Sequence, residues 1–152
     1  NQKWKFTASY PPLTRTEFAP VWGFLLSQSG RHGIFTIVLP ELSTTSGTAT
    51  GTVTTSSSPV GDSSVTVAGL TGDLKAGDFI KFSGHDKVYA LTADRSGNGS
   101  MAIAPALIYA VTTDTVIYTN VPFTVRMSND IQSYKVGKDM LFSNEVDMME
   151  AI

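Results

Sequence analysis

Acid–base chemistry near neutral pH would have to use one of two histidines, His32 and His85. Histidine is the first candidate for a general base because its ordinary pKa lies near neutrality. His32 is flanked by glycines, and we interpret it as a solvated turn residue. His85 has Ser83 and Asp86 nearby in sequence, but neighbouring residues of a strand or tight turn point apart and form no relay. We therefore predict a hairpin tip at His85.

Paired carboxylates are the second arrangement that could act as acid and base. Glu145 and Asp147 lie two residues apart in an alternating stretch, so both would face one side of a strand and could pass for the carboxyl pair of a glycosidase. We favour an outward-facing polar row, because such alternation is ordinary in half-buried strands. Five further aspartates are too widely spaced for a calcium loop: Asp62, Asp73, Asp78, Asp86 and Asp94.

Other catalytic and cofactor motifs are missing from the sequence. It has no cysteine, which excludes disulfides and thiolate metal sites. It also has no GxxxxGK followed by Ser or Thr, no GxGxxG between strand and helix, and no GxSxG. We therefore predict no enzyme activity, no catalytic residue, no cofactor and no metal.

The charge of the chain argues against nucleic acid as a partner. With 11 Lys+Arg and 13 Asp+Glu the formal net charge is −2, so the basic excess that phosphate binding requires is lacking. Charged residues make up 16% of the sequence, below the roughly 25% usual in soluble domains, which suggests that neighbours cover part of the surface. The longest apolar runs, such as 33–39 and 101–106, are far shorter than the roughly 20 residues of a membrane span. We expect no membrane insertion.

A helix that starts at Thr14 is the strongest local signal. Thr14 and Glu17 have the spacing of a capping box, and Leu13 with Phe18 fits a hydrophobic staple. Gly30 is the expected C′ residue after the last turn. Apolar residues between these ends follow the spacing of a helix that packs on a sheet: Phe18, Val21, Trp22, Leu25 and Leu26.

Pro20 conflicts with this helix. At the sixth helical position it removes a hydrogen bond, which costs about 3 kcal/mol in a regular interior. Two alternatives remain open: an irregular first turn, or a regular helix that begins near Ala19 with Pro20 as its first residue.

Strands flank the helix and end the chain. Residues 4–10 alternate, with Trp4, Phe6, Ala8 and Tyr10 on one face, before Pro11-Pro12. Residues 34–39 are apolar at nearly every position, so we predict a strand covered on both faces and closed by Pro40. Alternation returns near the end, where these residues would face a core: Phe123, Val125, Met127, Phe142, Val146 and Met148.

The middle of the chain predicts a small barrel or sandwich. Residues 43–64 are rich in Ser, Thr and Gly and fit a flexible linker, but the β-branched alternation at 50–54 favours an edge strand with a loop. Glycine-rich turns, including a hairpin turn at 96–99, separate further short strands. These strands are predicted at 65–67, 79–82, 88–92, 101–104 and 116–118.

We therefore predict a mostly β (α+β) fold: a β-sandwich or split barrel with one flanking helix and an inserted small β-barrel-like domain. Residues 1–42 plus 119–152 form the outer α+β domain, and residues 43–118 form the insertion. Aromatic residues are frequent anchors at protein contacts. Trp4 and Trp22 lie on the apolar faces of their elements and are expected in the core. The remaining candidates for contact anchors are Tyr10, Tyr89, Tyr109, Tyr118 and Tyr134.

Several segments resemble minor tail proteins of tailed bacteriophages. They are WKFTASYPPLTRTEFAPVW at 4–22, GIFTIVLP at 33–40, LKAGDFIKF at 74–82 with VY at 88–89, and EVDMMEAI at 145–152. The similarity follows the order of the chain and covers most of it, including the inserted β region.

The resemblance implies a distal-tail or baseplate hub-like subunit, in which a β-sandwich with one flanking helix builds a ring, typically sixfold, around the tail axis. It brings no catalytic residues. We expect copies of this chain and other tail tube or baseplate proteins as partners, and a place in the virion tail after assembly in the host cytoplasm. The Ser/Thr-rich stretch departs from the compact pattern of a rigid ring element.

Two other functions stay open. One is a carbohydrate-binding or adhesin-like module, in which Tyr89, Tyr109 or Tyr118 of the insertion act as stacking platforms. The other, which we rank third, is a glycosidase that depends on Glu145.

Overall fold

The computed structural model describes residues 2–152, and these form a mostly β fold with a single α-helix, as predicted. The helix, α1, spans Arg15–Ser27, and a 3₁₀ turn follows at Gly30–His32. The strands are β1 (Lys5–Ser9), β2 (Phe35–Ile37), β3 (Thr54–Thr55), β4 (Ser64–Ala68), β5 (Asp73–Leu74), β6 (Phe79–Phe82), β7 (Val88–Leu91), β8 (Arg95–Ser96), β9 (Gly99–Ala104), β10 (Val116–Ile117), β11 (Phe123–Met127), β12 (Lys135–Val136), β13 (Phe142–Ser143) and β14 (Glu145–Glu150).

The chain divides into two compact units. The first, which we call the barrel unit, comprises residues 37–123 with Gln2 and Ile152. The second, which we call the sheet unit, comprises residues 3–36 and 124–151.

A six-stranded sheet wraps into a nearly closed barrel in the barrel unit, which confirms the barrel-like architecture predicted from its short strands. The strand order is β10-β6-β7-β9-β4-β3. A bridge between Thr54 and Thr115 and a 2.8 Å hydrogen bond from the Val116 N–H to the Val53 carbonyl join the two outer strands. Alternate residues point inward and form the core: Val53, Val65, Val67, Leu70, Leu74, Ile80, Phe82, Tyr89, Leu91, Met101, Ile103, Leu107, Val111 and Val116.

The Ser/Thr-rich segment is an ordered part of this unit. Thr50 exchanges two backbone hydrogen bonds with Thr71, at 2.8 and 3.1 Å. Thr54–Thr55 forms β3, which pairs with β4. The predicted combination of a strand and a loop therefore describes this segment better than a flexible linker does, although the strand lies at the end of the predicted range.

The sheet unit is built on a four-stranded sheet in the order β1-β14-β11-β2. The central strand β14 pairs antiparallel with both β1 and β11. Its side chains Val146 and Met148 are buried. Phe6 and Ala8 of β1 are half-buried between exposed neighbours, which matches the predicted alternation.

The capping box of α1 is present as predicted. The Glu17 N–H donates to Thr14 Oγ1 at 3.4 Å, and the Thr14 N–H donates to Glu17 Oε2 at 2.9 Å. The helix is continuous through Pro20, so the alternative start near Ala19 is wrong. The capping box stabilises the first turn before Pro20. Phe18 before the proline and Leu25 after it are buried, and this packing also holds the helix in place.

Three details of this region differ from the predictions. The residue after the C-cap is Ser29, with φ of 51°, so it occupies the C′ position expected for Gly30, whose φ is also positive at 66°. Leu26, predicted on the buried stripe, is 54% exposed. The strand at 34–39 is covered on one face only, because Ile34 and Val38 are exposed on the other.

Candidate interaction surfaces

The turn between β6 and β7 contains His85, and it holds no catalytic relay. Ser83 Oγ accepts a hydrogen bond from the Thr115 N–H at 3.0 Å. Asp86 pairs with Lys81 Nζ at 2.8 Å. Ser83 and Asp86 are therefore engaged elsewhere, as the prediction of no relay requires, and both nitrogens of the His85 ring lack a hydrogen-bond partner among residues 2–152.

The imidazole of His85 packs among three aromatic rings. The ring-centroid distances are 5.9 Å to Phe82, 5.8 Å to Tyr89 and 5.1 Å to Tyr109. Burial lowers the pKa of His85, and the negative charge of Asp114 opposes this effect without cancelling it. The ring is thus a neutral packing element near pH 7.

The carboxylates Glu145 and Asp147 are not brought together in one cleft. Asp147 Oδ1 accepts a 2.6 Å hydrogen bond from Thr7 Oγ1 on the neighbouring strand, whereas Glu145 is exposed and lines a groove. His32 is exposed on the 3₁₀ turn. None of these residues forms the paired acid and base of a glycosidase.

The tyrosines of the barrel unit differ sharply in exposure. Tyr89 is 0% exposed, so it cannot stack on a ligand. The hydroxyl of Tyr118 donates to the Gly51 carbonyl at 2.6 Å, and its ring packs against the barrel core. Tyr109 is 46% exposed. Of the three predicted platforms only Tyr109 is exposed, and Tyr118 is half-buried.

One edge of the four-stranded sheet is the exposed strand β1. Backbone hydrogen bonds join the residues just before and just after β1 to the neighbouring chain at β14. The Glu150 N–H donates to the Trp4 carbonyl at 2.8 Å, and the Tyr10 N–H donates to the Asn144 carbonyl at 3.1 Å. Along an antiparallel ladder only every second residue bonds to the partner strand. The odd-numbered residues of β1 therefore direct their N–H and C=O groups away from β14. These exposed residues are Lys5, Thr7 and Ser9.

The other edge of the sheet is β2. Its flanking residue Ile34 is 60% exposed, and Thr36 within the strand is also exposed. Phe24 and Leu26 of α1 add further exposed apolar side chains in the sheet unit, at 44% and 54%. Apolar surface beside an open strand edge is the kind of surface that a protein neighbour covers.

An aromatic cluster joins α1 to the segment before β12. Phe18 stacks on Phe142 at 5.2 Å and on Trp22 at 5.9 Å. Tyr134 meets Trp22 edge to face at 4.9 Å and lies 5.4 Å from Phe18. We call Phe18, Trp22, Tyr134 and Phe142 the aromatic cluster; it fixes the ring of Tyr134, which is 45% exposed.

A polar groove of about 370 Å³ lies beside Tyr134 in the sheet unit. Its lining residues come from three separate stretches of sequence. Tyr10 and Tyr134 were candidate contact anchors and Glu145 a candidate carboxylate, but the sequence did not predict that they share a groove. Asn144 is 7% exposed, and its Nδ2 is buried without a hydrogen-bond partner among the described residues. The lining residues are Ser9, Tyr10, Ser133, Tyr134, Lys135, Ser143, Asn144 and Glu145.

Asp78 anchors the Ser/Thr-rich segment to the barrel. Its carboxylate accepts hydrogen bonds from the Thr45 hydroxyl, from Ser46 N–H at 2.9 Å and Oγ at 2.7 Å, and from the Lys75 N–H at 2.9 Å. Burial alone would raise the pKa of Asp78, but these hydrogen bonds outweigh it and hold the pKa below the ordinary value of 3.8. The site is a structural anchor.

Residues 2–152 contain neither a cluster of metal ligands nor a helix that could span a membrane. No three His, Asp or Glu side chains of this range come together as a set of metal ligands. No helix in the same range is both long and apolar enough to cross a membrane.

Comparison with models of known protein families gives no match, and comparison with curated proteins gives no significant match. The open sheet edges, the aromatic cluster and the polar groove are therefore the basis on which we assign a function.

Proposed function

We propose that this protein is a structural subunit of a bacteriophage tail tip or baseplate, of the distal-tail or hub-like kind, and that its copies form a ring around the tail axis. The observation that carries the proposal is the pair of open edges, β1 and β2, at the two ends of one four-stranded sheet. The resemblance of 4–22, 33–40 and 145–152 to minor tail proteins supports the assignment to a tail.

The ring forms when β1 of one copy pairs with β2 of the next. Strand edges present unpaired backbone groups that a neighbouring strand can complete. Because the two edges differ, the contact is head-to-tail, and such contacts close into rings when the rotation between copies allows it. The exposed Ile34 flanks β2, and the exposed Phe24 meets Phe35 of that strand edge to face at 5.2 Å, so both supply apolar area beside this contact.

The nearly closed barrel takes no part in this pairing, since closure removes strand edges. Its role is to decorate the ring, and other tail tube or baseplate proteins are the further partners. The protein acts without catalysis, metal or cofactor, and it works in the virion tail after assembly in the host cytoplasm.

The test is the mass of the protein in solution and its presence in purified particles. We expect a multiple of the 16.3 kDa chain mass, with six copies in the complete ring, and a band of this protein in tailed particles. A strict monomer that is absent from virions would overturn the proposal.

The alternative is a carbohydrate-binding or adhesin-like module that acts through the insertion. Tyr109 is the one observation in its favour, because Tyr89 is buried and the Tyr118 hydroxyl is engaged by Gly51. Glycan binding that is lost in Tyr109→Ala would favour it over the ring subunit.

A further inference from the structure

We propose that the polar groove of the sheet unit binds a neutral carbohydrate. This site is separate from the insertion, goes beyond the ring function and does not rest on it. Its volume of about 370 Å³ falls within the roughly 300–1,000 Å³ of small-molecule sites, so one or two sugar rings fit.

Two exposed tyrosines supply apolar faces to the groove. Tyr10 is 37% exposed and Tyr134 is 45% exposed. The face of an aromatic ring carries negative charge, so it attracts the weakly positive C–H groups of one side of a sugar ring. Tyrosine also combines a large rigid surface with a hydroxyl that bonds to a polar ligand.

The ring of Tyr134 is held in place before any ligand arrives. Its contacts with Trp22 at 4.9 Å, Phe18 at 5.4 Å and Phe142 at 5.7 Å fix its orientation. A side chain that is already ordered loses little conformational entropy on binding. The aromatic cluster therefore makes Tyr134 a preorganised platform.

The polar groups of the groove suit a ligand rich in hydroxyls. Ser133 and Ser143 each offer a hydroxyl that donates and accepts, and the exposed carboxylate of Glu145 accepts from two neighbouring hydroxyls. Asn144 is more than nine-tenths buried, and its Nδ2 has no acceptor among residues 2–152. A buried polar atom without a partner is rare in native proteins, so the Asn144 amide is the group beside the groove that lacks an acceptor.

The balance of charge selects an uncharged ligand. Lys135 and Glu145 line the same groove with opposite charges. An anionic sugar would meet the Glu145 carboxylate, and a cationic ligand would meet the Lys135 ammonium. Neutral hexoses and N-acetylhexosamines avoid both penalties.

The experiment is a titration of the full chain, followed by amide NMR, with glucose, galactose, rhamnose and N-acetylglucosamine and with oligosaccharides of each. We expect at least one sugar to shift the amides of residues 133–135 and 143–145. Tyr10→Ala and Glu145→Gln should each weaken that binding at least 10-fold, because each removes one contact without touching the core.

Tyr109→Ala is the matched control, since Tyr109 is a surface tyrosine of similar exposure outside the groove. We expect its sugar affinity to equal that of the parent chain, and the mass of each variant in solution to be unchanged. The proposal is overturned if no sugar shifts the groove amides at tens of millimolar, or if Tyr109→Ala abolishes binding while Tyr10→Ala and Glu145→Gln do not. If the protein forms no ring, its mass in solution will show this, and the sugar titration will be unaffected.

Discussion

Two polar side chains of the barrel unit, Asp78 and His85, are held in opposite ways. The buried carboxylate of Asp78 receives hydrogen bonds from three residues, Thr45, Ser46 and Lys75. The two buried nitrogens of His85 receive none within residues 2–152. The first residue therefore stabilises the barrel in its charged form, and the second stabilises it only when neutral.

Replacement of Asp78 by alanine should lower the free energy of unfolding by about 3 kcal/mol, because several donors around a charged acceptor lose their partner. Chemical denaturation of the full chain measures this loss. Asp86→Ala is the control: Asp86 is an exposed aspartate with a surface ion pair, and we expect a change below about 0.5 kcal/mol.

The same carboxylate makes stability depend on acid. The pKa of Asp78 is lower in the folded state than its ordinary 3.8, so its contribution is complete above that pH and is lost as the pH falls through the folded value. An acid titration should show a shallower loss of stability in Asp78→Ala than in the parent. Equal slopes in the two proteins would contradict the role given to Asp78.

His85 should make the barrel less stable at mildly acidic pH. Its pKa in the folded state lies below the ordinary 6.5, so the unfolded chain binds the proton more readily. The contribution of the neutral ring is therefore complete above about 6.5 and declines as the pH falls below it. The charged groups around the ring are Asp114, Lys81 and Asp86.

Thermal midpoints at about pH 7.5 and 5.5 provide the measurement. We expect His85→Phe to flatten the dependence, since phenylalanine fits among the aromatic rings and does not titrate. If the thermal midpoint of His85→Phe changes with pH as much as that of the parent protein, another group is responsible for the dependence.

At the scale of single elements, α1 keeps a proline that its regular geometry does not favour. Pro20 lies at the sixth helical position, where its ring leaves the carbonyl of Thr16 without the usual donor. The side chain of Pro20 is exposed, so it contributes little packing. The capping box at Thr14 offsets part of this cost, by about 1 kcal/mol.

Pro20→Ala should therefore raise the free energy of unfolding by about 1 to 3 kcal/mol, because the missing hydrogen bond is restored and alanine favours helix. Denaturant titration of both proteins measures the gain. Ala19→Gly, at the exposed neighbour, should lower stability by about 1 kcal/mol. A Pro20→Ala protein less stable than the parent would mean that the proline has a packing role.

The open edge of β1 can be blocked without breaking the fold. Lys5 directs its N–H away from β14, so Lys5→Pro removes a donor that only a neighbouring strand could use. We expect Lys5→Pro to shift the assembled protein to monomer in analytical ultracentrifugation, and Lys5→Ala, which keeps the N–H, to retain the assembly. Assemblies of equal size in both variants would rule out pairing through β1.

Local chemistry could be predicted from the sequence, and distant contacts could not. The capping box at Thr14 was visible because both of its groups lie within four residues. The open face at Ile34 and Val38 was missed because a strand that is apolar at nearly every position does not tell which of its faces other layers cover. The groove was missed because Tyr10, Tyr134 and Asn144 are widely separated in sequence and only the pairing of β1, β12, β13 and β14 brings them together.

At the scale of the whole molecule, each unit has a core of its own. The barrel core is formed by residues between Val53 and Val116, and the sheet unit buries Phe18, Leu25, Val146 and Met148. Lys87 is also fully buried in the barrel unit, and its Nζ donates to the Gln2 carbonyl at 2.8 Å. The barrel unit thus draws one polar contact from a residue far outside its main segment.

A fragment of residues 37–123 should fold by itself but with reduced stability. It lacks Gln2, so the buried ammonium of Lys87 loses that acceptor. Circular dichroism with urea titration of the fragment and of the full chain measures this loss, and an unfolded fragment would show that the barrel unit depends on the rest of the chain.

The pairing of β1 with β14 also decides how the molecule responds to pulling. Lys5 lies opposite Met149 and Ser9 lies opposite Glu145, so the chain enters and leaves the ladder at the same end. Tension applied to the two ends loads one cross-strand pair at a time, because antiparallel ladder bonds lie perpendicular to the strands. The sheet therefore opens under mechanical load as a zipper does, from the Trp4–Glu150 hydrogen bond inward, and offers little resistance to stretching unless a neighbouring strand clamps the free edge of β1.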